Sequence, residues 1–359
     1  MQTPSLTTYL LAALAIGFAL PWAAAGQDRI PSHHLYVCIQ DDASIAIVDM
    51  DALEVVSVIR LPELGFRPRA APHDVAVAAD GRNWYVSLAG EHQVLKLDAE
   101  NEVVGTFEME SPGMLSISLL GDRLAVSRSM SATNPPRLLG LAHTADMEAE
   151  ELDVFFPRPH AVAFSPDGRF AYTASLGMNQ LASIELASLT VELLEVPGPQ
   201  HALVQLALSP NGEVLVASGE LSGELLVFGL DDPARPELIT AIALGPRPFD
   251  PVFAPDGQTV WVPLKGRDEV AVVETDDWTV VDRVLGGGLG QPHAIEFSSD
   301  GGRAFVSNNV APPGDPSAAS SSGSPPKARL VVIDTTTREI EDTLELGLNL
   351  TGMGHRNGG

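Results

Sequence analysis

Short apolar segments recur along most of the chain, and polar turns separate them. In one stretch they occupy residues 84–88, 93–98 and 103–109. These segments are rich in Val and Leu, and their apolar and polar positions tend to alternate, which is typical of strands buried on one or both faces of a sheet. The 32 Gly and 28 Pro residues add many chain breakers, which disfavour long helices. The pattern therefore predicts many short β-strands joined by tight turns.

Asp-Gly and Asn-Gly dipeptides interrupt the segments at regular intervals. Such dipeptides accept the positive φ angles of a tight hairpin, so each marks a turn between two strands. The turns are Ala79-Asp80-Gly81, Pro166-Asp167-Gly168, Pro210-Asn211-Gly212, Pro255-Asp256-Gly257 and Ser299-Asp300-Gly301. Their glycines lie 87, 44, 45 and 44 residues apart, and the first interval is two periods with a degenerate turn at residues 119–122. A repeat of about 44 residues with four strands predicts the blade of a β-propeller.

The third strand of this unit recurs seven times, which predicts seven blades. It begins at Ser44, Gln93, Arg137, Leu181, Glu224, Glu269 and Ala328. The first unit starts at its second strand, residues 35–39, and has no first strand of its own. Residues 348–356 remain after the seventh unit, and pairing them beside residues 35–39 closes the ring without a free edge. The predicted fold is an all-β, seven-bladed β-propeller of four-stranded antiparallel blades, closed by the C-terminal strand.

The repeat resembles that of the YVTN-type propeller family. Residues 159–169 and 171–173 carry the resemblance, with the sequences PHAVAFSPDGR and AYT, and it extends over residues 34–356. It implies the fold but no single activity, because propellers of this repeat serve as binding proteins, surface proteins and domains of redox enzymes. Lactonases have a similar propeller, and nitrous-oxide reductases hold a histidine-bound copper cluster at the hub of theirs.

Residues 1–25 are typical of a signal peptide. An apolar run at 9–22 is too short to span a bilayer comfortably, and Ala23-Ala24-Ala25 is a small-residue cleavage signature. We expect an N-terminal extension at 26–33 and a propeller at 34–359 with a flexible, Pro- and Ser-rich insertion at 308–327. The protein is thus expected in the periplasm or outside the cell, with no stable membrane span after processing. A retained N-terminal anchor is the alternative.

The charge balance narrows the range of partners. With 21 basic and 47 acidic residues the formal net charge is −26, which repels the phosphate backbone of nucleic acids. A small ligand, a metal ion or another exported protein is therefore the expected partner, bound by a monomer. The single cysteine, Cys38, permits no internal disulfide.

Three histidines occupy the same position of different repeats. Each lies seven residues before a turn Asp, at the start of a predicted innermost strand. They are found in Pro72-His73-Asp74, Pro159-His160-Ala161 and Pro292-His293-Ala294, in the second, fourth and seventh blades. Imidazoles at these positions can converge on Zn or Cu at the hub and leave a coordination position open. A hub histidine that only hydrogen-bonds a neighbouring carbonyl is the structural alternative.

His201 and His355 lie outside this register but near the expected channel, so we treat them as additional metal ligands. The functional prediction is an exported module that binds a ligand, metal or protein through a histidine-bearing channel face. The first alternative is a Zn- or Cu-dependent enzyme or periplasmic metal chaperone that uses the hub histidines. The second is a lactonase-like hydrolase, for which no acid-base set is identified. Replacing a ligand histidine is expected to weaken metal binding, with a larger effect below about pH 6, where protonated imidazoles compete with the metal.

Overall fold

The structure is a computed structural model that describes residues 33–132, 137–311 and 326–355. These residues form 28 strands in seven four-stranded antiparallel sheets. The predicted seven-bladed propeller is confirmed. Five of the seven third strands begin at the predicted residue, and the other two begin one residue away.

The strands of the first four blades follow one another along the chain. Blade 1 contains β1 (His34–Ile39), β2 (Ser44–Asp49) and β3 (Glu54–Arg60), after which comes a short 3-10 helix (Leu61–Leu64). Blade 2 contains β4 (Pro72–Val77), β5 (Asn83–Leu88), β6 (Gln93–Asp98) and β7 (Val103–Glu108). Blade 3 contains β8 (Pro112–Ile117), β9 (Arg123–Arg128), β10 (Leu138–His143) and β11 (Ala149–Asp153). Blade 4 contains β12 (Pro159–Phe164), β13 (Phe170–Ser175), β14 (Gln180–Glu185) and β15 (Thr190–Glu195).

The last three blades continue the pattern. Blade 5 contains β16 (Leu203–Leu208), β17 (Val214–Gly219), β18 (Glu224–Gly229) and β19 (Glu237–Ala243). Blade 6 contains β20 (Val252–Phe253), β21 (Thr259–Leu264), β22 (Glu269–Glu274) and β23 (Val280–Leu285). Blade 7 contains β24 (Pro292–Phe297), β25 (Arg303–Asn308), β26 (Ala328–Asp334) and β27 (Ile340–Gly347). Strand β28 (Leu350–His355) follows blade 7.

Strand β28 closes the ring. It pairs antiparallel with β1, from Leu35 opposite His355 to Ile39 opposite Leu350, and becomes the innermost strand of blade 1. The sheet of blade 1 thus combines the two ends of the described chain, as predicted from the leftover C-terminal segment. Without β28, the inner edge of β1 would expose unpaired backbone groups.

The hydrophobic core is divided into seven wedges. Each of the seven buried clusters draws its residues from two adjacent blades, so every blade is covered on both faces. Between blades 1 and 2, for example, Tyr36 stacks on Trp84 with ring centroids 4.4 Å apart. Because the apolar packing lies between blades, the axis is left to the side chains of the innermost strands.

Buried hydroxyls connect neighbouring blades close to the axis. Ser87 accepts a hydrogen bond from the Asp74 N–H at 3.1 Å and donates one to the Gly113 carbonyl of blade 3 at 2.6 Å. Ser307 does the same between Ala294 and the Thr351 carbonyl of β28. These contacts satisfy backbone groups that strand pairing leaves free.

Several sequence predictions lie outside the described residues. They are the signal peptide at 1–25, the N-terminal extension up to residue 32 and most of the insertion at 308–327. Within the three described ranges, no helix is long and apolar enough to cross a membrane.

Candidate functional site

The three register histidines begin the innermost strands of their blades, and each sits at a β-bulge. In blade 2, Pro72 pairs with Leu88 and Val75 with Val86, so His73 and Asp74 together face the single residue Ser87. The pairing of β12 with β13 and of β24 with β25 shifts at the same place. A bulge re-aims the side chain it carries. Here it places the imidazoles at the axis.

The imidazoles meet at the hub. The ring centroid of His73 lies 6.3 Å from that of His160 and 6.3 Å from that of His293, with the rings nearly perpendicular in both pairs. All three residues are buried. The structure thus brings together histidines from the second, fourth and seventh blades, which are 87 and 133 residues apart along the chain.

Each of the three rings has one buried nitrogen without a hydrogen-bond partner among the described residues: Nε2 of His73, Nε2 of His160 and Nδ1 of His293. The other nitrogen of two rings has a defined acceptor. His160 Nδ1 lies 2.7 Å from the Val204 carbonyl, and His73 Nδ1 lies 3.0 Å from Oε1 of Gln40. A carbonyl oxygen only accepts, so Nδ1 carries the proton in both rings and Nε2 carries a lone pair.

The hub histidines are neutral at physiological pH. Burial lowers the pKa of His73 to about 3 and that of His160 to about 4, and it holds the pKa of His293 well below its ordinary value. The positive charge of Lys265 lowers all three further, and His160 also lowers the pKa of His73. Because the pKa values of His73 and His160 lie well below 6, protonation of these two rings is expected to compete with a metal ion only at a lower pH than for ordinary imidazoles.

Lys265 and Phe249 complete the hub, and sequence reasoning missed the lysine. Phe249 lies seven residues before the turn residue Asp256 of blade 6, the position that histidine occupies in blades 2, 4 and 7. Its ring centroid lies 4.6 Å from that of His293. The amine of Lys265, in the turn after β21, lies 3.3 Å from the centroid of the Phe249 ring. Lysine is rare in this chain. The position of Lys265 in a turn on the same side of the propeller as the hub histidines could therefore have marked it in the sequence as a candidate site residue.

A cavity of about 290 Å³ continues along the axis on the side of the Asp-Gly turns. Its polar lining includes Asp74, Gln205, Asp250 and Glu296. Burial raises the pKa of Asp74 to about 8, although the N–H of Leu115 donates to this carboxyl at 2.8 Å. Burial and the nearby Asp74 carboxyl also raise the pKa of Asp250. The channel therefore has imidazoles at one end and weakly acidic carboxyls beyond them.

His201 and His355 do not join the hub cluster. His201 is buried in blade 5, where its Nδ1 lies 3.0 Å from the Ser222 hydroxyl and its Nε2 lies 3.1 Å from the Pro197 carbonyl. His355 lies at the far end of β28, where its Nδ1 is 2.9 Å from Oε2 of Glu296. The five predicted ligands thus separate into one group of three and two side chains engaged elsewhere.

The described ranges contain no group of three or more His, Cys, Asp or Glu side chains close enough to hold a metal ion as they stand. A metal ion bound 2.0–2.1 Å from each nitrogen places tetrahedrally arranged imidazole centroids roughly 5 Å apart. The 6.3 Å from the His73 ring to each of the other two is wider, so the rings would have to move inward to share an ion. The predicted Zn or Cu site stays a prediction.

The fold and the hub define a seven-bladed propeller with a histidine-lined axis, and solved structures share its architecture. A functionally unknown protein from Desulfotomaculum acetoxidans matches with a TM-score of 0.72 and 15% identity over 91% of this chain and all of that one. Hydrazine synthase from Kuenenia stuttgartiensis matches with a TM-score of 0.64 and 16% identity over 80% of this chain and 90% of that one. Dihydro-heme d1 dehydrogenase NirN, solved in complex with DHE, matches with a TM-score of 0.57 and 17% identity over 90% of this chain and 75% of that one.

At these identities the likeness establishes the fold alone. No model of a known protein family matches the sequence, and no curated protein matches it. The resemblance to the YVTN-type repeat therefore rests on the repeat residues themselves.

Proposed function

We propose that this protein is an exported propeller that binds a ligand at its hub and does not convert it. The observation that supports this most directly is the set of three buried ring nitrogens, one on each hub histidine, for which the described residues offer no hydrogen-bond partner. A buried polar atom without a partner costs about 1–3 kcal/mol. Three such atoms in one place point to an occupant that satisfies them.

The space between the rings limits that occupant to something small. Ring centroids 6.3 Å apart, from His73 to each of the other two, leave room between them for an ion or a group of one heavy atom. Neutral imidazole lone pairs are strong ligands for Zn and Cu. A histidine that ligates a metal also usually donates its other N–H to a carbonyl or carboxylate, as His160 does to Val204.

A transition-metal ion of the Zn or Cu class is therefore the ligand we propose. A buried water is the alternative occupant, since waters of this kind commonly satisfy orphaned polar atoms. Elemental analysis of untagged protein purified from its export compartment tests the proposal. We expect about one equivalent of Zn or Cu per chain. Metal-free protein that stays metal-free after dialysis against either ion would support the water.

A matched pair of variants locates the site. His160→Ala removes a lone pair at the hub, whereas His143→Ala removes an exposed imidazole at the end of β10. We expect the first substitution to lower the metal content and the second to leave it unchanged. Equal metal content in both variants would place the ion elsewhere.

A further inference from the structure

The chain has three lysines, Lys96, Lys265 and Lys327, and they differ in the partners of their amines. The amine of Lys96 donates to the Thr144 carbonyl at 2.6 Å. That of Lys327 lies 3.7 Å from Oε1 of Glu345 and is more than half exposed. The amine of Lys265 has neither a hydrogen bond nor an ion pair with any described residue and contacts the face of Phe249.

Lys265 is also the most enclosed of the three, with 8% of its surface exposed. Its turn is fixed by close packing, because a Cβ on the following residue, Gly266, would lie 2.7 Å from the Pro246 carbonyl oxygen. The backbone N–H of Lys265 donates to the Arg247 carbonyl at 3.0 Å. The side chain therefore has little freedom to swing out to bulk water.

The charges around Lys265 disfavour its protonated form. The Arg247 guanidinium repels the ammonium, whereas the face of the Phe249 ring attracts it. The carboxyls of Glu220 and Asp250 act to raise the pKa of Lys265. Glu220 is already bonded by Arg247 at 3.0 Å, and burial keeps the pKa of Asp250 raised, which favours its uncharged form.

An amine that is enclosed and has no hydrogen-bond or ion-pair partner has a characteristic chemistry. Burial lowers the pKa of Lys265 to about 7, with Arg247 as the next contributor, so a large part of the amine is neutral at physiological pH. Lysines that form imines with carbonyl compounds are activated in this way, by desolvation or by a neighbouring cation.

We propose that Lys265 is a reactive amine that captures an aldehyde or ketone as an imine at the mouth of the hub. The lone pair of Nζ forms a bond to the carbonyl carbon, and the oxygen takes up a proton as the nitrogen releases one. The carbinolamine then loses water, which carries away the oxygen and two protons, and a C=N double bond remains. No electrons are transferred, and the step is reversible.

Reductive ethylation tests this inference on the mature protein. Acetaldehyde and sodium cyanoborohydride are added at pH 7, and the hydride of the reagent fixes each imine as an ethylamine. Peptide mass mapping over time then gives separate rates for Lys265, Lys96, Lys327 and the N-terminal amine. An ordinary lysine with a pKa near 10.4 is neutral in roughly 1 molecule in 2,500 at pH 7. We therefore expect Lys265 to be ethylated at least about tenfold faster than the other two lysines.

Substitutions at the site provide the controls. Lys265→Met and Lys265→Arg should both abolish the fast event and leave the rates of Lys96 and Lys327 unchanged. Ethylation of Lys265 at the same rate as the other lysines, or more slowly, would overturn the inference. Ethylation is measured on metal-stripped protein and the hub metal by elemental content, so failure of this inference and failure of the proposed function can be distinguished.

Discussion

His160 illustrates at the scale of one residue how the fold prepares a side chain for binding. Its Nδ1–H is committed to the Val204 carbonyl of the next blade, so its Nε2 lone pair is fixed in the buried hub. The bulge at the start of β12 sets this orientation. The ring is held in position before any ligand arrives, so little ordering entropy is lost on binding.

The ionisation of the hub gives a stability prediction. The pKa of His160 is about 4 in the folded protein and near 6.5 when unfolded, so the unfolded chain binds more protons between these values. Stability contributed by the neutral ring is therefore present above about pH 6.5 and is lost as the pH falls toward 4. We expect His160→Asn to lower the acid sensitivity of the unfolding free energy by about 2 kcal/mol between pH 7 and pH 4.5.

Urea unfolding at the two pH values measures this difference. The exposed His143 is the matched control, and His143→Asn should keep the acid sensitivity of the wild type. An identical pH dependence in wild type and His160→Asn would show that the hub ring is protonated in the folded protein.

The site was only partly predictable from the sequence. The register of the turns placed His73, His160 and His293 at the hub, because a period of two along each strand fixes which residues reach the axis. The bulges were not visible, since they depend on the hydroxyls of Ser87 and Ser307 accepting backbone N–H groups of the neighbouring strand in the same blade. Lys265 was missed because the contact of its amine with the Phe249 ring depends on side-chain packing, which the repeat pattern does not encode.

At the scale of the element, the inner strands depend on the serines that bridge blades. Ser87 in β5 and Ser218 in β17 occupy the same blade position, but only the hydroxyl of Ser87 has partners, and that of Ser218 has none among the described residues. We expect Ser87→Ala to destabilise the protein by about 1–3 kcal/mol, because it leaves the Asp74 N–H and the Gly113 carbonyl unpaired. Ser218→Ala should change stability little or raise it. Denaturant midpoints compare the two, and equal losses would contradict the bridging role.

Ring closure by β28 gives a second prediction at this scale. Removing residues 348–359 should expose the edge of β1 and break contacts with β4 and β24, which flank β28 on either side. We expect the cooperative unfolding transition to be lost, as followed by circular dichroism and calorimetry. Removing only residues 356–359 leaves β28 intact and should preserve the transition. A chain cut at residue 347 that melts like wild type would contradict the closed ring.

The strands themselves were largely predictable because their signals are local. Asp-Gly turns, apolar alternation and a period near 44 residues are properties of the sequence alone, and they located the third strands to within one residue. The closing strand was predictable from the number of strands in each unit. The first unit lacked its first strand, and one strand-like segment remained after the seventh unit. Tertiary packing was needed only to position side chains within this frame.

At the scale of the whole molecule, residues 1–25 give a prediction about the cellular compartment of the protein. The apolar run and cleavage signature in residues 1–25 predict export, and the net charge of −26 is consistent with a well-hydrated exported protein. Mass spectrometry of the exported protein should find an N-terminus near Gly26. Recovery of intact residues 1–25 in a membrane fraction would show that the segment is a retained anchor.

The hub is the part of the propeller on which the proposed binding function depends. Three blades that are distant in sequence each contribute one neutral imidazole to the axis, and the His73 ring lies 6.3 Å from each of the other two.

Isothermal titration calorimetry of Zn²⁺ and Cu²⁺ into metal-stripped protein at neutral pH tests this account most directly. We expect one ion of at least one of the two metals to bind per chain, with an affinity that stays nearly constant down to about pH 5, because burial holds the pKa values of His73 and His160 near 3 and 4. His73→Ala, His160→Ala and His293→Ala should each weaken binding by about tenfold or more, and His143→Ala should not. Absence of stoichiometric uptake of both metals, or equal affinities in the hub and surface variants, would contradict a metal-binding hub.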